Sequence, residues 1–210
     1  MRSDRAFIAG AFEHPTRKAA DKSHAQLHAE VAYGALQDAG LTIDDVDGYF
    51  VAGDNTNLYP LSLVDYLGLR LRTIGATDTG GSAYITHVGQ AVEAIAAGRC
   101  SVALITLAGR PRTGGAAADP APDWSLPEVP FEQPFGRAVI NTYAMAAMRH
   151  FHEYGTTSEQ LAWIKVAAAH HAQFNPDAML RKLVTVEEVV SSPLIADPLH
   201  RLDCCVVTDG

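Results

Sequence analysis

Residues 75–108 read GATDTGGSAYITHVGQAVEAIAAGRCSVALITLA, from Gly75 to Ala108. The run predicts the end of one strand, a tight glycine turn, an apolar helix and a second strand. Ala83, Ile85, Val88, Ala91, Val92, Ile95 and Ala96 spread over most of the helix circumference, so the helix is expected to be buried on nearly all sides. Gly80 and Gly81 leave the turn before it bare, and Ser82 stands where it can cap the first turn. Backbone N–H groups at such a start face whatever space lies ahead, which makes an anion or oxyanion cradle. Glycines are equally suited to close packing, and at this point both readings are open.

Strand and helix signals alternate on either side of this run. Phe7 to Phe12 is a short apolar stretch that predicts a buried first strand. The following residues, EHPTRK, lack the repeated glycines of a dinucleotide fingerprint, which argues against a Rossmann cofactor site. Ser23 with Gln26 forms a capping-box pattern, and Leu27, Val31, Ala35 and Leu36 make a helical stripe that stops at Gly40. Thr42 opens a short acidic turn before a strand over 48–53; Asp44, Asp45 and Asp47 lack calcium-loop spacing and suit a helix start. LSLVDYLGL predicts a short helix and RTIGAT a third strand. The alternation points to an α/β layered fold with right-handed crossovers.

After the strand at Val102–Leu107 comes AGRPRTGG, at the strand end where open α/β sheets place ligands. Arg110 and Arg112 there are candidates for an anion such as a phosphate, with solvated loop residues as the other reading. Residues 114–136 are rich in proline, glycine and alanine, with Trp124, Phe131 and Phe135 interspersed, and predict an ordered excursion packed on something. Helices are predicted over 141–154 and 158–171, with Ala144, Met145, Met148, Phe151, Leu161, Ile164 and Ala168 on their inner faces. His150 with His152 and His170 with His171 do not share helix faces, so they serve a single metal poorly and read as surface or partly buried histidines.

Composition narrows the functional classes. The 210 residues are 48% hydrophobic and 19% charged, with a net charge of -8. That is globular, and the absence of a basic run argues against nucleic acid or an acidic membrane surface. There is no apolar stretch of transmembrane length and no signal-peptide layout at the start, so a soluble cytoplasmic protein is expected. Cys100, Cys204 and Cys205 lack metal-ligand spacing and read as buried thiols in a reducing compartment.

The central run, LTIDDVDG before it and ADPLHRLDCCVVTDG at the end together resemble the thiolase superfamily, in particular its sterol-carrier-protein or lipid-transfer-protein type. The resemblance covers essentially the whole chain. It implies an α/β thiolase-like layered fold, a mixed sheet with a buried central helix, with residues 1–113 and 186–210 as the first of two similar halves and 114–185 as a helical loop-domain insertion. In that family an acyl-carrying cysteine sits at the start of the central helix. Counting back from Gly98 it would fall at Gly81, where there is no thiol. Thr77, Thr79 and Ser82 lie nearby, but His87, the nearest base in sequence, is more than a turn along the helix, so none of them is an obvious replacement nucleophile.

The family acts on coenzyme A thioesters, making or breaking a carbon–carbon bond beside the thioester carbonyl, with no further cofactor. The resemblance therefore implies Gly81 and Ser82 as the catalytic cradle and Thr77, Thr79, Gly80, Arg110 and Arg112 as substrate or coenzyme A contacts. Lipid-transfer-type relatives without the cysteine cleave steroid side-chain thioesters by retro-aldol chemistry, which needs enolate stabilisation and no acyl-enzyme. Aldolase-like cleavage is thus slightly preferred to acyl transfer, and the alternative is a non-catalytic acyl-CoA or lipid-binding protein. The implied partners are a second copy in a homodimer and a small OB-fold protein.

Overall fold

A computed structural model describes residues 5–52, 60–77, 79–114, 124–136 and 139–210. The chain divides into two compact units, Met1–Gly115 with Thr208–Gly210, and Ala116–Val207. By compactness, residues 186–207 are grouped with the second unit.

The first unit is built on three parallel strands, β1 (Gly48–Ala52), β2 (Thr73–Ala76) and β3 (Ala103–Leu107), in the order β2-β1-β3. Gly48 is in register with Thr73 on one side and Ala103 on the other. Central β1 is buried at all five positions, as a strand covered on both faces must be. Its side chains alternate: Tyr49 and Val51 join Ala32, Leu36, Leu63, Leu67 and Leu104 in one core cluster, and Phe50 joins Ala91, Ala94 and Cys100 in another. Helices α1 (His24–Ala39) and α2 (Leu61–Leu67) thus share one face of the sheet, and α3 (Ala83–Ala96) lies on the other.

The local signals behave as read, except that the capping box at Ser23 is half formed. Ser23 caps α1 by accepting from the Gln26 amide at 3.0 Å, and Gly40, at φ 68°, closes it. The Gln26 side chain goes to Glu30 instead of back to the cap. Thr42 and Asp45 form a capping box on a 3₁₀ turn. Asp47 accepts the Ser101 and Val102 amides and meets Arg72, so it ties the starts of the strands together.

Three expectations about burial are corrected. Phe7–Phe12 forms no strand among the described residues, and Phe7 and Ile8 are exposed; apolar character does not make a strand without a partner to complete its ladder. Helix α3 is covered on one side: Ala83, His87, Ala91 and Ala94 are buried, while Ile85 is 75% exposed. Its flank at Val88, Val92 and Ile95, together with residues 6–12 and the outer edge of β3, instead lines an apolar groove of about 680 Å³. At the mouth of that edge Gly109 and Gly210 exchange both backbone hydrogen bonds, at 2.8 and 3.1 Å.

In the second unit lie α4 (Val129–Glu132), α5 (Val139–Tyr154), α6 (Ser158–Ala172), α7 (Val186–Val190) and a hairpin of β4 (Leu194–Ala196) with β5 (Leu199–His200). Thr157 and Thr185 start α6 and α7 through capping boxes with Gln160 and Glu188. The third correction falls here. Ala144 is buried as expected, but the inner positions of α6 are Ala162 and Ala169, while Ile164, Ala168, Met145 and Met148 are exposed. Trp124, Phe131 and Phe135 are also exposed, and the anchor of their segment is fully buried Val129. Residues 115–123 of the predicted excursion and Gly53 of the predicted second strand lie outside the described residues. Among the described residues no helix is long and apolar enough to cross a membrane.

Candidate functional site

The three parallel strands present their carboxyl ends together, and the predicted site residues follow two of them. Thr77 comes directly after β2, the turn Thr79–Gly81 leads into α3, and Gly109–Thr113 follows β3. A cavity of about 560 Å³ lies here, with Gly80, Tyr84, Gly109 and Pro111 among its walls. The turn before α3 and the loop after β3, far apart in sequence, therefore meet at one place.

The turn has the form expected of a cradle, with one difference. Ser82 occupies the N-cap of α3, but its hydroxyl donates to the Thr79 carbonyl at 3.1 Å and does not cap the helix. Of the first-turn N–H groups, that of Ala83 is taken by the Gly80 carbonyl at 3.0 Å. Gly80 has φ 68°, a left-handed conformation that calls for glycine. Gly81 differs: its φ is not positive, it is exposed, and a Cβ built there would meet no described atom within 4 Å. Among the described residues, then, neither backbone conformation nor packing accounts for the missing side chain at 81.

Arg110 and Arg112 are not gathered into the cavity. The Arg110 Nε donates to the Thr113 hydroxyl at 3.3 Å, and Arg112 is exposed. Their loop is fixed by Asp209, which is 2% exposed and accepts from the amides of Ala19, Arg112 and Thr113 and from the Thr113 hydroxyl, at 2.7–3.1 Å. Burial alone would raise this carboxyl's pKa, but the donors win and hold it below the usual range.

Two groups of residues at the candidate site are placed there by contacts that the sequence does not show. One is the polar wall of the cavity formed by Glu13, His14 and Arg17. His14 Nε2 lies 2.6 Å from Glu30, which also receives Lys22 at 2.8 Å. Hydrogen bonds from Lys22 and then His14 pull the Glu30 pKa down to about 2. The other is His87, which is completely buried on α3 with its Nε2 2.7 Å from the Thr77 hydroxyl. Its sequence distance from Thr77 hides this pairing, because a helical offset says nothing about the strand end that the helix returns to. Beneath the site, Thr106 Oγ1 meets the Tyr49 hydroxyl at 2.8 Å and His28 Nδ1 at 2.9 Å, all buried. Burial lowers the His28 pKa to about 3, with neighbouring His24 adding to the effect, and raises that of Tyr49 to about 12.

The paired histidines on α5 and α6 are exposed, and no group of three potential metal-binding side chains occurs among the described residues. No protein-family model matches the chain. It is 33% identical over 226 residues to the steroid side-chain-cleaving aldolase of Thermomonospora curvata, a match covering 98% of the chain and 54% of that protein. It is 32% identical over 201 residues to an acetyl-CoA acetyltransferase of Methanothermobacter thermautotrophicus, covering 90% of the chain and 51% of that protein. The solved structure of an Ltp2-ChsH2(DUF35) aldolase matches the whole chain and 54% of its own at 32% identity, with a TM-score of 0.86. The chain thus spans about half the length of the curated relatives it matches. Its relatives are thiolase-like proteins, including those of the sterol-carrier-protein type, and the chain corresponds to one part of them.

Proposed function

We propose that this chain is part of a thiolase-like enzyme that makes or breaks a carbon–carbon bond beside a coenzyme A thioester, with retro-aldol cleavage of a lipid or steroid acyl-CoA preferred to acyl transfer. The observation that carries the reading is Gly81, bare for no reason of packing or backbone conformation among the described residues, at the start of a fourteen-residue helix; the cavity wall itself holds its neighbour Gly80 and Tyr84, not Thr77, Thr79, Gly81 or Ser82. The names of the matched aldolase and acetyltransferase support the substrate class. Within this reading residues 1–113 and 186–210 are the first half and 114–185 the insertion.

In retro-aldol cleavage the bond between the α-carbon and the hydroxyl-bearing carbon breaks. The hydroxyl proton passes to a base, the bonding pair moves onto the α-carbon as a thioester enolate, and that carbon is then reprotonated. N–H donors at Gly81 and Ser82 stabilise the enolate oxygen, and the positive end of α3 adds to the effect. Thr77, Thr79 and Gly80 surround the same oxygen, and Arg110 and Arg112 meet coenzyme A phosphates. No acyl-enzyme forms, which is consistent with a segment 75–98 that contains no cysteine. The ChsH2(DUF35) component named with the matched structure supports a partner polypeptide, which we take to be a small OB-fold protein beside a homodimer of the enzyme.

The test is release of aldehyde or ketone from a 3-hydroxyacyl-CoA by the assembled protein. Binding of the thioester without either product would favour a non-catalytic acyl-CoA binder, and thiolysis of a 3-ketoacyl-CoA would contradict the role given to the missing thiol.

A further inference from the structure

His87 has a feature that the proposed function does not use. Its ring is fully buried, its Nε2 lies 2.7 Å from Thr77 Oγ1, and its Nδ1 has no hydrogen-bond partner among the described residues. The Phe50 ring is a close neighbour, with centroids 6.2 Å apart. Burial keeps the imidazole neutral by lowering its pKa, so the ring carries one N–H. The position of that hydrogen decides what Thr77 can do, because a hydroxyl has one hydrogen to give.

If the hydrogen is on Nδ1, a buried donor is orphaned and the Thr77 hydroxyl is consumed in donating to Nε2, which leaves its oxygen activated as a nucleophile. If it is on Nε2, the ring donates to Thr77 Oγ1, the orphan is a lone pair, and the threonine hydrogen is released to another acceptor. Among buried backbone groups an orphaned N–H is rarer than an unfilled acceptor, and the same preference is applied here to the ring. The second arrangement is therefore favoured. Thr77 is half-buried at the carboxyl end of β2, immediately before the bare turn.

We infer that His87 is a positioning residue that donates from Nε2 to Thr77 and thereby fixes the Thr77 hydroxyl as a third donor, beside the Gly81 and Ser82 amides, for the carbonyl oxygen of a coenzyme A thioester. The ligand half of this inference rests on the function proposed above; the hydrogen-bond direction does not. Thr77 acts as a donor to the oxyanion and takes no part as a nucleophile.

Long-range ¹H–¹⁵N correlation of the His87 ring in the intact chain, without ligand, reads the tautomer directly. A proton on Nε2 is expected, and a proton on Nδ1 would overturn the inference. Titration with acetyl-CoA then tests the ligand half: Thr77→Val should weaken binding about three- to tenfold, the range for one neutral hydrogen bond, and Thr77→Ser should restore it. Equal binding by wild type and Thr77→Val would overturn that half. Failure of the wild type to bind acetyl-CoA would sink the functional reading by itself, and the tautomer would still decide whether His87 orients Thr77.

Discussion

Replacing Gly81 by cysteine puts a thiol at the start of α3 and asks whether the residue stands where the fold needs nothing. A Cβ at 81 meets no described atom within 4 Å and the backbone is not left-handed there, so the fold should accept the change within about 0.5 kcal/mol. The helix dipole is worth roughly 0.3–1 kcal/mol to an anion at such a position. At about 1.36 kcal/mol per pKa unit, this places the thiol roughly 0.2–0.7 units below a free cysteine at about 8.5. The thiolate fraction at pH 7 then rises from about 3% to roughly 5–14%, and alkylation by iodoacetamide speeds up about 1.5- to 4-fold over a free thiol. Exposed Cys205 and half-buried Cys204 are changed to serine in the background, while Cys100, at 2% exposure with its pKa raised by burial, stays as the slow internal reference. The assay is the alkylation rate against pH. An introduced thiol as unreactive as Cys100, or one titrating at or above 8.5, would refute the placement of residue 81 at an open helix start.

Valine at the two neighbouring glycines should separate strain from ligand space. Gly80→Val forces a β-branched residue to φ 68° and should lower stability by about 1–3 kcal/mol, read as a fall in melting temperature. Gly81→Val should leave melting nearly unchanged and weaken thioester binding, measured by calorimetry with acetyl-CoA. Asp209→Ala strips the acceptor from four donors and should destabilise the chain by about 2–4 kcal/mol while opening Arg110–Thr113 to limited proteolysis. His28 has its pKa lowered from 6.5 to about 3, so below pH 6.5 the unfolded chain holds the extra proton. Stability due to this group is complete above 6.5 and is lost as pH falls towards 3, at up to about 1.4 kcal/mol per pH unit. Denaturant melts of His28→Gln should show a shallower slope between pH 6.5 and 4.5.

What was legible in the sequence was what short-range chemistry decides. Ser23 and Gly40 bound their helix because caps and left-handed glycines act within a few residues. The apolar runs of β1 and β3 were legible as strands, while their parallel pairing joins segments far apart in sequence. Burial needs a partner, and a sequence does not say which partner is present. Phe7–Phe12 and the outer flank of α3 have apolar character but lie along a groove, and alanines, not Ile164, face inward on α6. The bare turn of the candidate site was legible because glycine and serine announce it. The Thr77–His87 pair, the Asp209 anchor and the Glu13–His14–Arg17 wall were not, since each is made by chain segments that meet only after folding.

The central claim is that amides at the start of α3, without a thiol, hold the oxygen of an activated thioester. A structure of the assembled protein with a non-cleavable 3-hydroxyacyl-CoA analogue measures this directly. The account predicts the carbonyl oxygen of the analogue about 2.7–3.1 Å from the amide nitrogen of Gly81 or Ser82. An analogue bound with that oxygen out of hydrogen-bond reach of both amides would contradict it.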